Sequence, residues 1–138
     1  MASELRYILS AGFGRFADGD PNAQHRFGPD AGAKVKEMLT ASIAKAREAG
    51  FEVINEDINP QDPEYSLKRF TQQLESRQWV AVNVGFGVRG HKENTVLFEK
   101  MLSEVWRIRG ADGVNVIFSN GPDDLIRAIE RNFPEAFA

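Results

Sequence analysis

Hydrophobic positions along the chain switch between two periods. Leu5 to Ala11, LRYILSA, is a short apolar and aromatic run closed by Gly12 and Gly14, the pattern of a strand. From Asp30 to Gly50 the apolar residues Val35, Met38, Leu39, Ile43 and Ala46 recur at three- and four-residue steps, which predicts an amphipathic helix stopped by Gly50. Phe51 to Ile58 alternates apolar and polar residues at first, so it reads as a second, less buried strand at a sheet edge, ended by Asn59-Pro60. Asp62 as N-cap and Pro63 at the first helical position open a helix whose stripe, Leu67, Phe70 and Leu74, runs to about Gln78. Trp79 to Val84, WVAVNV, is nearly all apolar and too short for a helix, which predicts a central strand buried on both faces. Asn94 can cap a helix from Thr95 to Arg109, with a broad apolar face that includes Met101, Val105 and Trp106. Val114 to Ser119 is the fourth strand. Pro122 with Asp123 and Asp124 opens a last helix that buries Leu125, Ile126, Ile129 and Phe133.

Four strands thus alternate with four helices, and no linker or composition break interrupts them. One domain is expected over residues 1–138: an α/β fold of three layers (α/β/α), with a four-stranded parallel sheet of order 2-1-3-4 and flavodoxin-like or Rossmann-like architecture. In such a sheet the connections reverse direction between strands 1 and 3. Ligands bind outside the carboxyl ends of the strands at that point.

Both strands beside that point are followed by a Gly-Phe-Gly turn. After strand 1 comes Gly12-Phe13-Gly14-Arg15, at the start of a long loop rich in Gly, Asp, Pro and Asn that also holds His25 and Arg26. After strand 3 comes Gly85-Phe86-Gly87-Val88-Arg89-Gly90-His91, where glycines permit positive φ and close backbone approach, and Arg89, His91 and Lys92 add positive charge. Gly12, Gly14, Arg15, Gly85, Gly87, Arg89, Gly90 and Asn120 are therefore candidate ligand-binding residues. Arginine supplies forked donors that match a carboxylate or phosphate. Histidine is the side chain most often used as general acid or base, so His91 and His25 are the candidate groups for proton transfer.

The glycine spacings also match G-x-G-x-x-A and G-x-G-x-x-G, but a dinucleotide site needs the helix to begin inside the motif and an acid about 20 residues on. A loop separates the first motif from its helix, and the strand after the second ends in Ser119-Asn120. No cofactor and no metal-ligand spacing is read from the chain. Absence of cysteine removes disulfides and thiolate chemistry. Seventeen Lys and Arg against 20 Asp and Glu, a formal charge of -3, argue against a general nucleic-acid binder. No apolar stretch is long enough to span a membrane, and the N-terminal stretch has no basic region followed by a long apolar run, so a soluble, cytoplasmic protein is expected.

The segment V-G-F-G-V-R-G-x-x-E-x-T-x-L-F-E at Val84 to Glu99, followed by I-F-S-N-G-P-D-D at Ile117 to Asp124, resembles a group of small uncharacterised α/β proteins of bacteria and fungi. The likeness covers mainly the C-terminal half and implies a fold and a shared loop, with no named activity. Together these features point to binding of a small anionic metabolite between strands 1 and 3, with His91 or His25 as acid or base if the site is catalytic. A non-catalytic interaction module, self-associating as a homodimer through a face bearing Trp106, is the alternative from another class. A Rossmann-like nucleotide binder is the third.

Overall fold

A computed structural model describes residues 5–138; the first four residues, part of the N-terminal stretch discussed above, lie outside the described residues. The strands are β1 (Arg6–Gly12), β2 (Phe51–Asp57), β3 (Ala81–Val84) and β4 (Asn115–Phe118), all parallel in one sheet of order β2-β1-β3-β4. Register aligns Ser10 with Asn55 on one side and with Asn83 on the other. The helices are α1 (Pro21–Phe27), α2 (Ala31–Glu48), α3 (Pro63–Ser76), α4 (Phe86–Arg89), α5 (Thr95–Arg109) and α6 (Leu125–Asn132). The order and layering are those of a flavodoxin-like or Rossmann-like sheet.

Alternation of side chains along each strand divides the core. Ile8, Phe51, Val53, Ala81 and Ile117 face Ala46 of α2 and Leu125, Ala128 and Ile129 of α6. Leu9, Val82 and Val84 face Phe70 and Leu74 of α3 and Leu97, Met101 and Val105 of α5. Each fully buried large aliphatic or aromatic side chain in these layers contributes about 1.5–3 kcal/mol. Every residue of β3 is buried, as expected of a strand covered on both faces, and β2 lies at the sheet edge.

Local signals behave as the sequence suggests at two helix ends. Asp62 Oδ1 accepts from the Tyr65 amide at 3.3 Å with Pro63 in the first turn, and Gly50 takes φ +94 just past α2. Three expectations are corrected. The loop between β1 and α2 is folded: a 3-10 turn (Gly14–Gly19) leads into α1. Asp20 caps α1 through the Ala23 amide at 3.0 Å, Pro21 occupies its first turn, and Asp18 accepts from the Gly32 amide at the start of α2 at 2.8 Å. Second, Asn94 does not cap α5 with its side chain; its Nδ2 donates to the Gly87 carbonyl at 3.1 Å and ties α5 back to α4. Third, Gly85, Gly87 and Gly90 do not use positive φ. Their stretch winds into α4, and the missing Cβ matters for space: one on Gly87 would stand 2.8 Å from the Phe13 ring, and one on Gly90 would stand 2.5 Å from the Phe86 ring.

Candidate functional site

At the carboxyl end of the sheet, between β1 and β3, the chain encloses a cavity of about 300 Å³. Both Gly-Phe-Gly turns border it, through Gly12, Phe13 and Gly14 on one side and Gly85, Phe86 and Gly87 on the other. The parallel register makes this unavoidable, because Ala11 pairs with Val84 and the two strands leave the sheet together. Gly85 N donates to the Ala11 carbonyl at 2.8 Å, which holds the two turns side by side.

The two histidines of the chain reach the same cavity from different elements, His25 from the last turn of α1 and His91 from just beyond α4. His25 and Arg26 are exposed and form the mouth with the half-buried His91, whose ring stands edge-on to Phe86 at 5.6 Å. Asn22 Nδ2 donates to Glu93 Oε1 at 2.8 Å and links α1 to the 3-10 turn (Lys92–Asn94) beside that mouth. The Glu93 carboxyl is held below its ordinary range, first by a backbone amide hydrogen bond and then by Asn22. Among the described residues the one carboxylate lining the cavity is Asp20, which is buried and already accepts the Ala23 amide.

Ligand-binding candidates separate into two groups. Gly12, Gly14, Gly85 and Gly87 border the cavity, whereas Arg15, Arg89, Gly90 and Asn120 do not. Arg15 lies over Phe16 and pairs with Asp57 at 3.7 Å. Arg89 donates through Nη2 to the Ser119 carbonyl at 3.3 Å and to Asn120 Oδ1 at 2.8 Å, and its guanidinium lies 5.3 Å from the ring centres of Phe86 and Phe118. It clamps the end of β4 to α4 through Nη2 and does not line the cavity; its Nε is buried without a partner. The Asn120 carbonyl accepts from Arg26 Nη1 at 3.1 Å, so both ends of that residue are engaged by arginines. Three of the loop amides are not free for an anion: those of Gly85, Val88 and Gly90 are bonded to Ala11, Gly85 and Phe86 carbonyls. Glu56 is turned to the other side of the sheet, where Gln73 donates to it at 3.0 Å and Arg69 at 3.4 Å.

Sequence reasoning overlooked the inner end of the cavity. Ser10, Asn83 and Ser119, each no more than 3% exposed, line it together with Asn55. Asn83 Nδ2 donates to Ser10 Oγ and to Ser119 Oγ, both at 3.1 Å. Their signal was a polar residue inside the apolar runs of β1 and β3, LSA and VNV, which the register pairs, and a serine just past β4, two residues beyond the Ile117 that pairs with Asn83. Phe13, Phe27, Phe86, Val35 and Leu39 supply the walls. The site therefore combines an apolar body, a hydrogen-bonding inner end and a mouth with cationic and titratable groups, the usual make-up of a small-molecule pocket.

Among the described residues no group of three or more His, Asp or Glu side chains is placed to hold a metal ion, and no helix is long and apolar enough to cross a membrane. No protein-family model matches the chain, and no curated protein matches it.

Proposed function

We propose that this protein binds a small anionic metabolite in the crevice between β1 and β3. The observation that carries the reading is the set of donors at the mouth: the Arg26 guanidinium and the imidazoles of His25 and His91 converge on one cavity whose lining carboxylate, Asp20, is already committed to a helix cap. An anion entering there meets the Arg26 guanidinium, the nearby Glu93 carboxylate being engaged by Asn22, and the apolar walls lower the dielectric and strengthen the attraction. Arg89, placed in the site by sequence reasoning, acts instead on the shape of the loop. If the bound anion reacts, His91 is the proton donor or acceptor best situated, since it lines the cavity half-buried with its ring held against Phe86.

The experiment is a thermal-shift and calorimetric screen of small carboxylates, phosphates and nucleotides against the wild-type chain and the His91→Gln/Arg26→Gln double variant. A probe at 100 times its dissociation constant raises stability by about 2.7 kcal/mol. The expected result is a rise for at least one anion that the double variant weakens by about tenfold or more, about 1.4 kcal/mol, as for loss of charge-assisted hydrogen bonds. Neutral analogues binding as tightly as the anions would refute the reading.

Trp106, 56% exposed on α5, favours self-association as a second reading. Sedimentation of the wild type and of Trp106→Glu tests it: an identical monomer in both excludes a dimer through this face.

A further inference from the structure

The inner end of the crevice holds hydrogen-bonding capacity that a simple anion does not use. A primary amide nitrogen has two hydrogens, so the bonds from Asn83 Nδ2 to Ser10 Oγ and Ser119 Oγ, both 3.1 Å, exhaust it. Each serine accepts in these bonds and keeps its own hydroxyl hydrogen to donate. Asn83 Oδ1 is buried and meets no donor, and neither does Asn55 Oδ1 one strand over. Turning the Asn83 amide end for end exchanges the roles and leaves the same surplus, because the serines then donate and the amide hydrogens are left over. Either way, donors and acceptors remain together at one buried point. Unpaired polar groups of this kind are rare in native interiors and call for a partner.

The walls narrow the identity of that partner. Phe13, Phe27, Phe86, Val35 and Leu39, aromatic or aliphatic, line the same cavity as the polar cluster and the mouth residues. A sugar phosphate, polar on every side, would lose its hydration against them without compensation. A ring or branched hydrocarbon gains by the same contact.

We infer that the ligand is an amphipathic organic anion. It has an apolar, ring-sized body between the phenylalanines, an acidic group at the histidine-bearing mouth, and at its inner end a hydroxyl or amide that both donates and accepts. The inference rests on the anion-binding reading for the outer end only; the inner end stands on its own hydrogen-bond inventory. Ser10 and Ser119 are specificity-determining residues for the inner group, and Asn83 positions both of them.

Calorimetric titration with four probes tests this in the wild type, Ser119→Ala and Ser10→Ala: 4-hydroxyphenylacetate, phenylacetate, the neutral alcohol 2-(4-hydroxyphenyl)ethanol and glucose 6-phosphate. Removing one hydroxyl from either serine leaves the apolar core untouched, and a thermal midpoint for each variant checks that it is folded. The wild type is expected to prefer 4-hydroxyphenylacetate over phenylacetate by about tenfold, and the alanine variants to reduce that preference to about threefold or less, as for loss of one buried hydrogen bond. Equal binding of the two aryl acids, or a preference unchanged in both variants, overturns the inner-end assignment. Binding of glucose 6-phosphate with neither aryl acid overturns the inference and leaves the anion-binding reading standing. Equal binding of 4-hydroxyphenylacetate and its neutral alcohol overturns the acidic group of the inference together with the anion-binding reading and leaves only the inner-end assignment standing, and no binding of any probe overturns both.

Discussion

Replacing Gly87 with alanine tests the contact that holds the two Gly-Phe-Gly turns together. The new methyl carbon would lie 2.8 Å from Cε2 and 2.9 Å from Cδ2 of Phe13, against a comfortable carbon-carbon separation of about 3.5–4.0 Å. Phe13 is 7% exposed and packs into the main core, so its ring cannot swing into solvent without losing that burial. Overpacking of a filled site costs about 1–3 kcal/mol. The backbone works in the other direction: Gly87 sits in α4 without a positive φ, and alanine in a helix recovers up to about 0.5–1 kcal/mol. The net expectation is a loss of roughly 0.5–2 kcal/mol, or roughly 2–8 °C in the thermal midpoint for a chain of this size. Urea unfolding followed by circular dichroism measures it, with an unchanged m-value as the sign that only stability has moved. Gly12→Ala is the control, since a Cβ there meets nothing within 4 Å. Trimming the ring in Phe13→Leu/Gly87→Ala should recover part of the loss, so that the two substitutions are non-additive by about 0.5–1 kcal/mol. A Gly87→Ala protein as stable as the wild type, or strict additivity with Phe13→Leu, would refute the reasoning.

Two further expectations concern the clamp and the surface carboxylates. Arg89→Met removes the bonds to the Ser119 carbonyl and Asn120 Oδ1 while keeping much of the stem between Phe86 and Phe118, and should cost about 1–2 kcal/mol in urea unfolding; an unchanged urea midpoint would show that Arg89 does not hold the loop. Glu52, Glu93 and Glu104 are held below their ordinary value of 4.5, by the Arg47 side chain, by a backbone amide with Asn22, and by the Arg107 side chain respectively. Each depressed carboxyl binds fewer protons when folded than when unfolded, so its contribution is complete above about pH 4.5 and is lost as pH falls through the lower folded value. Midpoints should therefore be flat with respect to these groups above that pH and fall below it. Glu93→Gln should shallow the fall, and hydrogen exchange in α1 should quicken in Asn22→Ala; an acid profile identical in Glu93→Gln and wild type would refute the Glu93 assignment.

The order of elements was legible because it depends on near neighbours. Period-two and period-3.6 patterns, Gly50 past α2 and the Asp62-Pro63 cap are all local, and alternation of strand with helix restricts the sheet to a few orders, of which 2-1-3-4 is the one observed. The same logic brought His25, His91 and both Gly-Phe-Gly turns to one crevice, since they follow strands that leave the sheet side by side. A local signal was also available and passed over: Asp20-Pro21 is the same cap as Asp62-Pro63, but α1 has few apolar positions, only Ala23 and Phe27, to give it a helical period. What the sequence could not decide is which way a polar side chain turns once its strand or loop is in place. Arg89 met a carbonyl and an amide 30 and 31 residues away and two aromatic faces, and so became part of the wall's support. Ser10 and Asn83, 73 residues apart, meet because parallel strands pair them, and Ser119, 36 residues beyond Asn83 and just past the end of β4, is within reach of the same amide; burial leaves each polar group only the others and the crevice to bond. Composition and period fixed the framework through contacts a few residues long; through-space partners, visible only after the sheet had formed, selected which of its polar groups face the cavity.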